Sequence, residues 1–285
     1  MSQIVYLNGQ FLPMEQARVP VLDRGFIFGD GVYEFIPVYS RHPLRLDEHL
    51  RRLQQSLDSI RLQNPHTADE WKARIVELVA RNDNEDQSVY LHITRGVAPR
   101  DHAFPKNTPP TVFMMSNPLV TTTREQCEAG INVISAPDPR WEHCDIKAIA
   151  LLPNVLMRQL AVDVGAVETV MFRNGVLTEG AASNIFAVEK GVILAPPKDN
   201  HMLPGITYDL VLELAQANSI PVEVGQISEA RVRAADELWL TSSTKEIMPI
   251  IQMDGQNIGS GQAGPMFRRM YQLYQDYKNE VMRRG

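Results

Sequence analysis

Cys144-Asp145-Ile146-Lys147 and, further along, Leu177-Thr178-Glu179-Gly180-Ala181-Ala182-Ser183-Asn184 are the stretches that decide how this chain is read. Lys147 precedes the apolar run Ala148-Ile149-Ala150-Leu151-Leu152, a setting that puts its amine near buried surface. A lysine amine attacks an aldehyde only in its neutral form, which partial desolvation favours. A snorkelling lysine at a strand end explains the same local pattern. Glu179 closes a strand that follows the Asn174-Gly175 turn, and Gly180 with two alanines comes directly after it. Small neighbours let a flat ring approach the backbone closely, and a carboxylate at that point can keep a ring nitrogen protonated. Taken alone, Glu179 reads more simply as a turn glutamate in water.

Two further stretches suit an anion. Leu203-Pro204-Gly205-Ile206-Thr207 leads straight into the helical pattern Tyr208-Asp209-Leu210-Val211-Leu212-Glu213-Leu214, and a helix N-terminus offers free N–H groups and a positive dipole end. Glu237-Leu238-Trp239-Leu240 reads as a strand opening into the hydroxyl cluster Thr241-Ser242-Ser243-Thr244, whose hydroxyls can donate to phosphate oxygens. A plain N-cap at Thr207 and a serine turn fit equally well. Arg51 and Arg52 project on opposite flanks of a helical apolar stripe. Periodicity does not choose between them.

Composition narrows the classes. A chain of 285 residues suits two domains at roughly 100–200 residues each. Its 44% hydrophobic and 22% charged content is that of an ordinary globular protein. No apolar run approaches the ~20 residues a bilayer span needs. Met1-Ser2-Gln3-Ile4-Val5-Tyr6 has neither a basic nor an apolar leader region, so no signal peptide is expected. A net charge of −6 with 28 dispersed basic residues argues against nucleic acid. Cys127 and Cys144 form no CxxC and no metal-like spacing. They read as reduced thiols in a cytoplasmic protein without a metal site.

Along the chain, Val5 to Phe11 is a hairpin turning at Asn8-Gly9. Val32 to Tyr39 reads as a strand that Pro37 interrupts. Leu46, Leu50, Leu53, Leu57 and Ile60 make the apolar stripe of an amphipathic helix. Thr67 and Glu70 signal a capping box for a helix carrying Trp71, Ile75, Leu78 and Val79. Val89 to Thr94 and Thr111 to Met115 are strands. Asn174-Gly175, Lys190-Gly191 and Asp254-Gly255 mark further hairpins, and helices are expected over 152–164, 207–217, 228–235 and 265–282. Short strands with interspersed helices indicate an α+β fold. The boundaries read as a first domain over 1–118, a linker over 119–122 and a second domain over 123–285.

Taken together, these residues resemble the fold-type IV pyridoxal-phosphate aminotransferases, over roughly Tyr6 to Pro265. The likeness rests on Phe28-Gly29-Asp30-Gly31-Val32-Tyr33-Glu34, Glu48-His49-Leu50-Arg51-Arg52-Leu53, Asp145-Ile146-Lys147, Thr178-Glu179-Gly180 with Ser183-Asn184, Leu203-Pro204-Gly205-Ile206-Thr207, and Ser242-Ser243-Thr244. The resemblance implies a small N-terminal α/β domain, a larger C-terminal domain with a pseudo-barrel of strands, and pyridoxal 5′-phosphate in a cleft between them. It also implies a homodimer in which one subunit's small domain helps close the other's site. By the same resemblance Lys147 is the Schiff-base lysine and proton shuttle, and Glu179 binds the pyridine nitrogen. Arg52, directly before Leu53, binds phosphate with Ile206, Thr207, Ser242 and Ser243.

Within the family, Ile93-Thr94-Arg95-Gly96-Val97-Ala98-Pro99-Arg100-Asp101-His102-Ala103-Phe104-Pro105 is similar to the loop of the D-amino acid transaminases. There an Arg-x-His pair and a tyrosine after GDGV bind the substrate α-carboxylate, and Arg100, His102 and Tyr33 match position for position. A guanidinium fork fixes a carboxylate through two parallel bonds. The implied activity is transamination between a D-amino acid, such as D-alanine or D-glutamate, and a 2-oxo acid, 2-oxoglutarate or pyruvate. Ala182 departs from the pattern where a hydroxyl is usual, and Pro37 departs in the strand. His92 stands where branched-chain aminotransferases tend to have arginine. A branched-chain L-amino acid aminotransferase and a 4-amino-4-deoxychorismate lyase remain the alternative enzymes on this fold, and a non-enzymatic binding protein is a distant third.

Overall fold

The structure is a computed structural model and describes residues 3–283. Met1-Ser2, part of the stretch read for a leader, and Arg284-Gly285 lie outside the described residues. The chain forms two compact units, Met1–Val120 with Ile146–Leu151 and Val281–Gly285, and Thr121–Asp145 with Leu152–Glu280.

The first unit contains β1 (Ile4–Leu7), β2 (Gln10–Pro13), α1 (Arg24–Phe28), β3 (Gly31–Tyr39), β4 (His42–Pro43), α2 (Leu46–Ser59), α3 (Ala68–Ala80), β5 (Gln87–Thr94) and β6 (Thr111–Pro118). Its strands make one sheet in the order β2-β1-β6-β5-β3-β4, every pairing antiparallel. The β1–β2 hairpin turns at Asn8 and Gly9 with φ of 47° and 95°, the paired left-handed geometry that Asn-Gly tolerates. The apolar stripe of α2 and the face of α3 pack on this sheet, burying Leu53, Leu57, Trp71, Ile75 and Leu78 with Ile36, Val89 and Met114. Thr67 and Glu70 cap α3 reciprocally, as their spacing indicates.

Pro37 does not break β3. It stands opposite Ser88 in an unbroken register with β5. Its carbonyl accepts from the Leu44 N–H at 2.8 Å on the side away from β5. The missing N–H of the proline therefore faces the strand's outer edge, where no ladder bond to β5 is lost. Nearer its start, the same edge receives the segment Ile146–Leu151. Tyr33 N–H donates to Lys147 O at 2.9 Å and Ile149 N–H to Gly31 O at 3.1 Å, with Val32 bridging Ala148.

The second unit contains α4 (Arg124–Ala129), β7 (Ile131–Pro137), α5 (Leu152–Asp163), β8 (Glu168–Arg173), β9 (Val176–Gly180), β10 (Asn184–Glu189), β11 (Val192–Ala195), α6 (Ile206–Ala217), β12 (Val222–Val224), α7 (Glu229–Arg233), β13 (Glu237–Ser242), β14 (Glu246–Met253), β15 (Gln256–Asn257) and α8 (Pro265–Tyr277). The sheet runs β12-β11-β10-β13-β14-β7-β8-β9, with β15 paired to β14. It is mixed: β11–β12, β14–β7 and β7–β8 are parallel. The sheet curls into a half-barrel, as the pseudo-barrel reading anticipates. At the tight turn from β9 to β10, Gly180 N–H donates to Ser183 O at 2.7 Å. The core gathers Phe186, Tyr208, Trp239, Phe267 and Tyr274. Helix α8 passes into a π-helical turn at Lys278–Met282.

Candidate active site

Lys147 is held in the first unit by its backbone before its side chain does anything. Besides the bond from Tyr33, its own N–H donates to Ser56 Oγ at 3.2 Å. The side chain is buried, with Nζ 4.1 Å from the centroid of the Tyr33 ring. A cation over a phenol face is attracted by the ring quadrupole, so the amine has a defined resting position. Tyr33 also packs against Tyr90, whose hydroxyl lies 2.8 Å from His92 Nδ1.

Helix phase separates the two arginines that periodicity left equal. Arg51 is exposed and lies 3.6 Å from Glu48, whereas Arg52 is buried with His49, Leu53, Ser56 and Leu57. Its partner is Glu34 on β3, with Nε to Oε1 and Nη2 to Oε2 both at 2.8 Å. His49 Nδ1 sits 2.7 Å from the same carboxylate. Burial pushes Glu34 upward, but the charge and bonds of Arg52, with His49, hold it well below the usual carboxylate range. Burial holds the His49 imidazole below its ordinary value against the pull of Glu34, and the Arg52 and Lys147 charges add to the lowering.

Arg100 and His102 are exposed on the loop after β5, and both lie against Phe28, at 5.5 Å and 5.4 Å from its ring centroid. Below them Arg24 spans Asp30 and the Asp101 carbonyl, and Arg95 bonds Asp30 from the other side. These ion pairs tie the loop to the end of α1. The structure thus brings Arg100 to His102 and Tyr33 to Lys147, while the contacts of Tyr33 are with Tyr90 and Lys147 rather than with the loop pair.

In the second unit, Glu179 is buried near the end of β9. Oε1 accepts from Arg140 Nη1, and Oε2 accepts from Asn184 Nδ2 at 3.1 Å and Leu203 N–H at 3.2 Å. Burial pushes its carboxyl up to about 7, against the lowering pull of Arg140. Gly205 is the N-cap of α6 and offers no side-chain cap. Ile206 and Thr207 open the helix and are buried, so the first-turn N–H groups keep their appetite for an acceptor. Thr207 is therefore not the N-cap. Ser242 ends β13, its Oγ accepting from Lys245 N–H at 3.1 Å, and Ser243 is half-buried beside it. Thr241 Oγ1 is buried with no hydrogen-bond partner among the described residues.

Glu34, His49, Ser56, Asp138 and Arg140 carry no role in the sequence reading. Glu34 and His49 do lie inside two of its motifs, and His49, three residues after Leu46 and four before Leu53, falls on the spacing of the apolar stripe. Arg140 has no comparable signal.

The family model described as "Amino-transferase class IV" matches residues 31–253. The chain belongs to that family. Like its other members, this aminotransferase uses pyridoxal 5′-phosphate. It is 36% identical to the D-alanine aminotransferase of Staphylococcus epidermidis over 275 residues, covering 96% of this chain and 97% of that one. It is 37% identical to the D-alanine aminotransferase of Bacillus licheniformis over 272 residues, 95% and 96% of the two chains. Among solved structures it is similar to the branched-chain amino acid aminotransferase from Escherichia coli, with a TM-score of 0.89, 26% identity and 96% and 94% coverage. The cofactor's chemistry fits residues of this aminotransferase. A buried carboxylate ringed by donors suits a cationic ring N–H, an uncapped helix start with an orphaned buried hydroxyl suits a phosphate, and a desolvated lysine suits an aldehyde.

Proposed function

We propose that this aminotransferase exchanges an amino group between a D-amino acid, D-alanine or D-glutamate, and a 2-oxo acid, 2-oxoglutarate or pyruvate. The observation that carries the reading is the identity of about one residue in three to D-alanine aminotransferases along nearly the whole chain. The Arg100-x-His102 pair and Tyr33 support it, being the groups expected to hold an α-carboxylate.

Pyridoxal phosphate, when bound, supplies an aldehyde that takes up the amino group and a ring that absorbs the electrons released at Cα. The chain's residues do the rest. Nζ of Lys147 removes the Cα proton, a task that its burial and fixed backbone suit, because both hold the amine in one place. Glu179 holds a proton on the ring nitrogen. Arg52, with Ile206, Thr207, Ser242 and Ser243, binds the phosphate. Arg100, His102 and Tyr33 fix the substrate carboxylate, and a carboxylate fixed on one side decides which enantiomer turns its Cα–H toward Lys147.

The working unit is a homodimer in a reducing, cytoplasmic compartment. Helix α5 supports the dimer, since Leu152, Val155, Leu156 and Leu160 are exposed along one face, a larger apolar stripe than a monomer keeps in water. Two buried free thiols, Cys127 and Cys144, suit the compartment. Among the described residues no helix is long and apolar enough to cross a membrane.

The test is a substrate panel on the purified holoenzyme. Pyruvate should form from D-alanine only when 2-oxoglutarate is present, with L-leucine left untouched. Consumption of L-leucine with D-alanine ignored would overturn the reading and favour the branched-chain activity of the structurally similar enzyme.

A further inference from the structure

Glu179 is gripped through a second carboxylate. Asp138, just past the end of β7, has a covered side chain that binds Arg140 as a fork, Oδ1 accepting from Nε at 2.9 Å and Oδ2 from Nη2 at 2.8 Å. Arg140 Nη1 then reaches Glu179 Oε1, and Nη2 also donates to His201 O at 3.1 Å. Thr178 Oγ1 donates to Asp138 at 3.0 Å, and Arg173 Nη2 stands 3.5 Å from the same carboxylate. Arg173 further donates to the Arg140 carbonyl at 2.8 Å. The Arg140 guanidinium therefore has one orientation. An ionic cluster this deep is a poor source of stability, because apolar replacements of the same volume usually do as well or better. Its direct bond to Glu179 points to a task other than folding.

We propose that Asp138 and Arg140 are positioning residues that decide where a proton rests between Glu179 and the ring nitrogen of pyridoxal phosphate. The inference rests on the assignment of Glu179 to that nitrogen. A single proton is shared by the two atoms. With Arg140 against Oε1 and the positive charge of the ring nitrogen beside it, the carboxylate keeps its charge, the proton stays on nitrogen, and the ring is a strong electron sink. Without Arg140, burial favours the neutral carboxylic acid, the proton passes to Glu179 and the ring is left neutral. Arg140 and Asp138 are the charged side chains facing Glu179, and the Cys144 thiol, itself pushed up to about 11 by burial, is the other titratable neighbour. Asp138 alone would oppose the ionised Glu179; its contribution is to aim Arg140.

The experiment is nitrogen-15 NMR of holoenzyme loaded with ring-labelled pyridoxal phosphate, followed from about pH 6 to about pH 9, a window around neutral. Wild type should show a protonated nitrogen throughout, and Glu179→Gln an unprotonated one. Arg140→Gln should lose the protonated signal within the window, and Arg140→Lys should recover part of it. Asp138→Asn should shift in the same direction less far, and it serves if Arg140→Gln does not fold. Turnover of Arg140→Gln should fall roughly 10- to 100-fold with KM changed little, about one to two decades of rate. A wild-type signal in both Arg140→Gln and Asp138→Asn at every pH overturns the proposal. An unprotonated nitrogen in wild type, or no change in Glu179→Gln, instead overturns the Glu179 assignment beneath it.

Discussion

Arg52 and Glu34 meet edge to edge, the guanidinium of α2 clasping the β3 carboxylate through two bonds of 2.8 Å. A bidentate pair of this kind fixes the plane and direction of the arginine as well as its place. The cation proposed to meet the cofactor phosphate is thus aimed by a buried anion, with His49 bracing that anion's second oxygen.

Removing Glu34 leaves a buried guanidinium and a buried imidazole without their acceptor. Glu34→Ala should lower stability by about 3–5 kcal/mol and weaken cofactor binding in the same protein. Urea denaturation of the cofactor-free form and a pyridoxal phosphate titration measure the two effects. An unchanged midpoint together with unchanged cofactor affinity would refute the aiming role.

Glu34 and Glu179, both buried, have opposite pH signatures. Glu34 is depressed below its ordinary value near 4.5, so the stability it contributes is present above that value and is lost as the medium is acidified further. Glu179 is raised to about 7 from 4.5. In the cofactor-free protein its contribution is full below about 4.5 and declines as pH rises toward about 7, by at most on the order of 3 kcal/mol. Stability curves of wild type and Glu179→Gln over that interval should diverge as pH rises, wild type falling relative to the variant. Parallel curves would show that Glu179 is not raised.

Much of the first unit is legible in its residues. Asn8-Gly9 fixes a hairpin, the four- and three-residue spacing from Leu46 to Ile60 fixes α2, and Thr67 with Glu70 fixes the start of α3. Helix α1 has only five residues, capped by Asp23 and ended at left-handed Gly29, too few for a period to show. The arginine choice on α2 is illegible for another reason. An apolar stripe says which leucines turn inward, but the polar residue that follows them is chosen by Glu34, which lies eighteen positions away on a strand. Arg140 is further removed, in a loop with no period, and acquires its meaning from Glu179, thirty-nine positions on. Motifs name the residues that meet a cofactor. They are silent on the residues that hold those residues.

Gly205 is tightly enclosed, because a Cβ there would overlap Asn184 Oδ1 and crowd Tyr208. Asn184 in turn donates to Glu179 and to Leu203 O. Gly205→Ala should push Asn184 aside, cost about 1–3 kcal/mol of stability and weaken pyridoxal phosphate binding. Calorimetry with and without cofactor reads both. Wild-type affinity in that variant would mean that the start of α6 has no part in holding the cofactor.

Arg100 is exposed and touches Phe28, not the buried residues around Lys147. Arg100→Ala should therefore keep its cofactor while kcat/KM for D-alanine falls roughly 10- to 100-fold, the value of about 1.5–3 kcal/mol for a charge-assisted bond. A protein purified without cofactor would place this loop in a different role.

The central claim is that one amine, that of Lys147, carries the cofactor. Borohydride reduction of the holoenzyme, digestion and mapping of the labelled peptide test it most directly. The account predicts a single pyridoxyl label on Lys147 and a colourless, unlabelled Lys147→Ala protein; a label on any other lysine, or none at all, contradicts it.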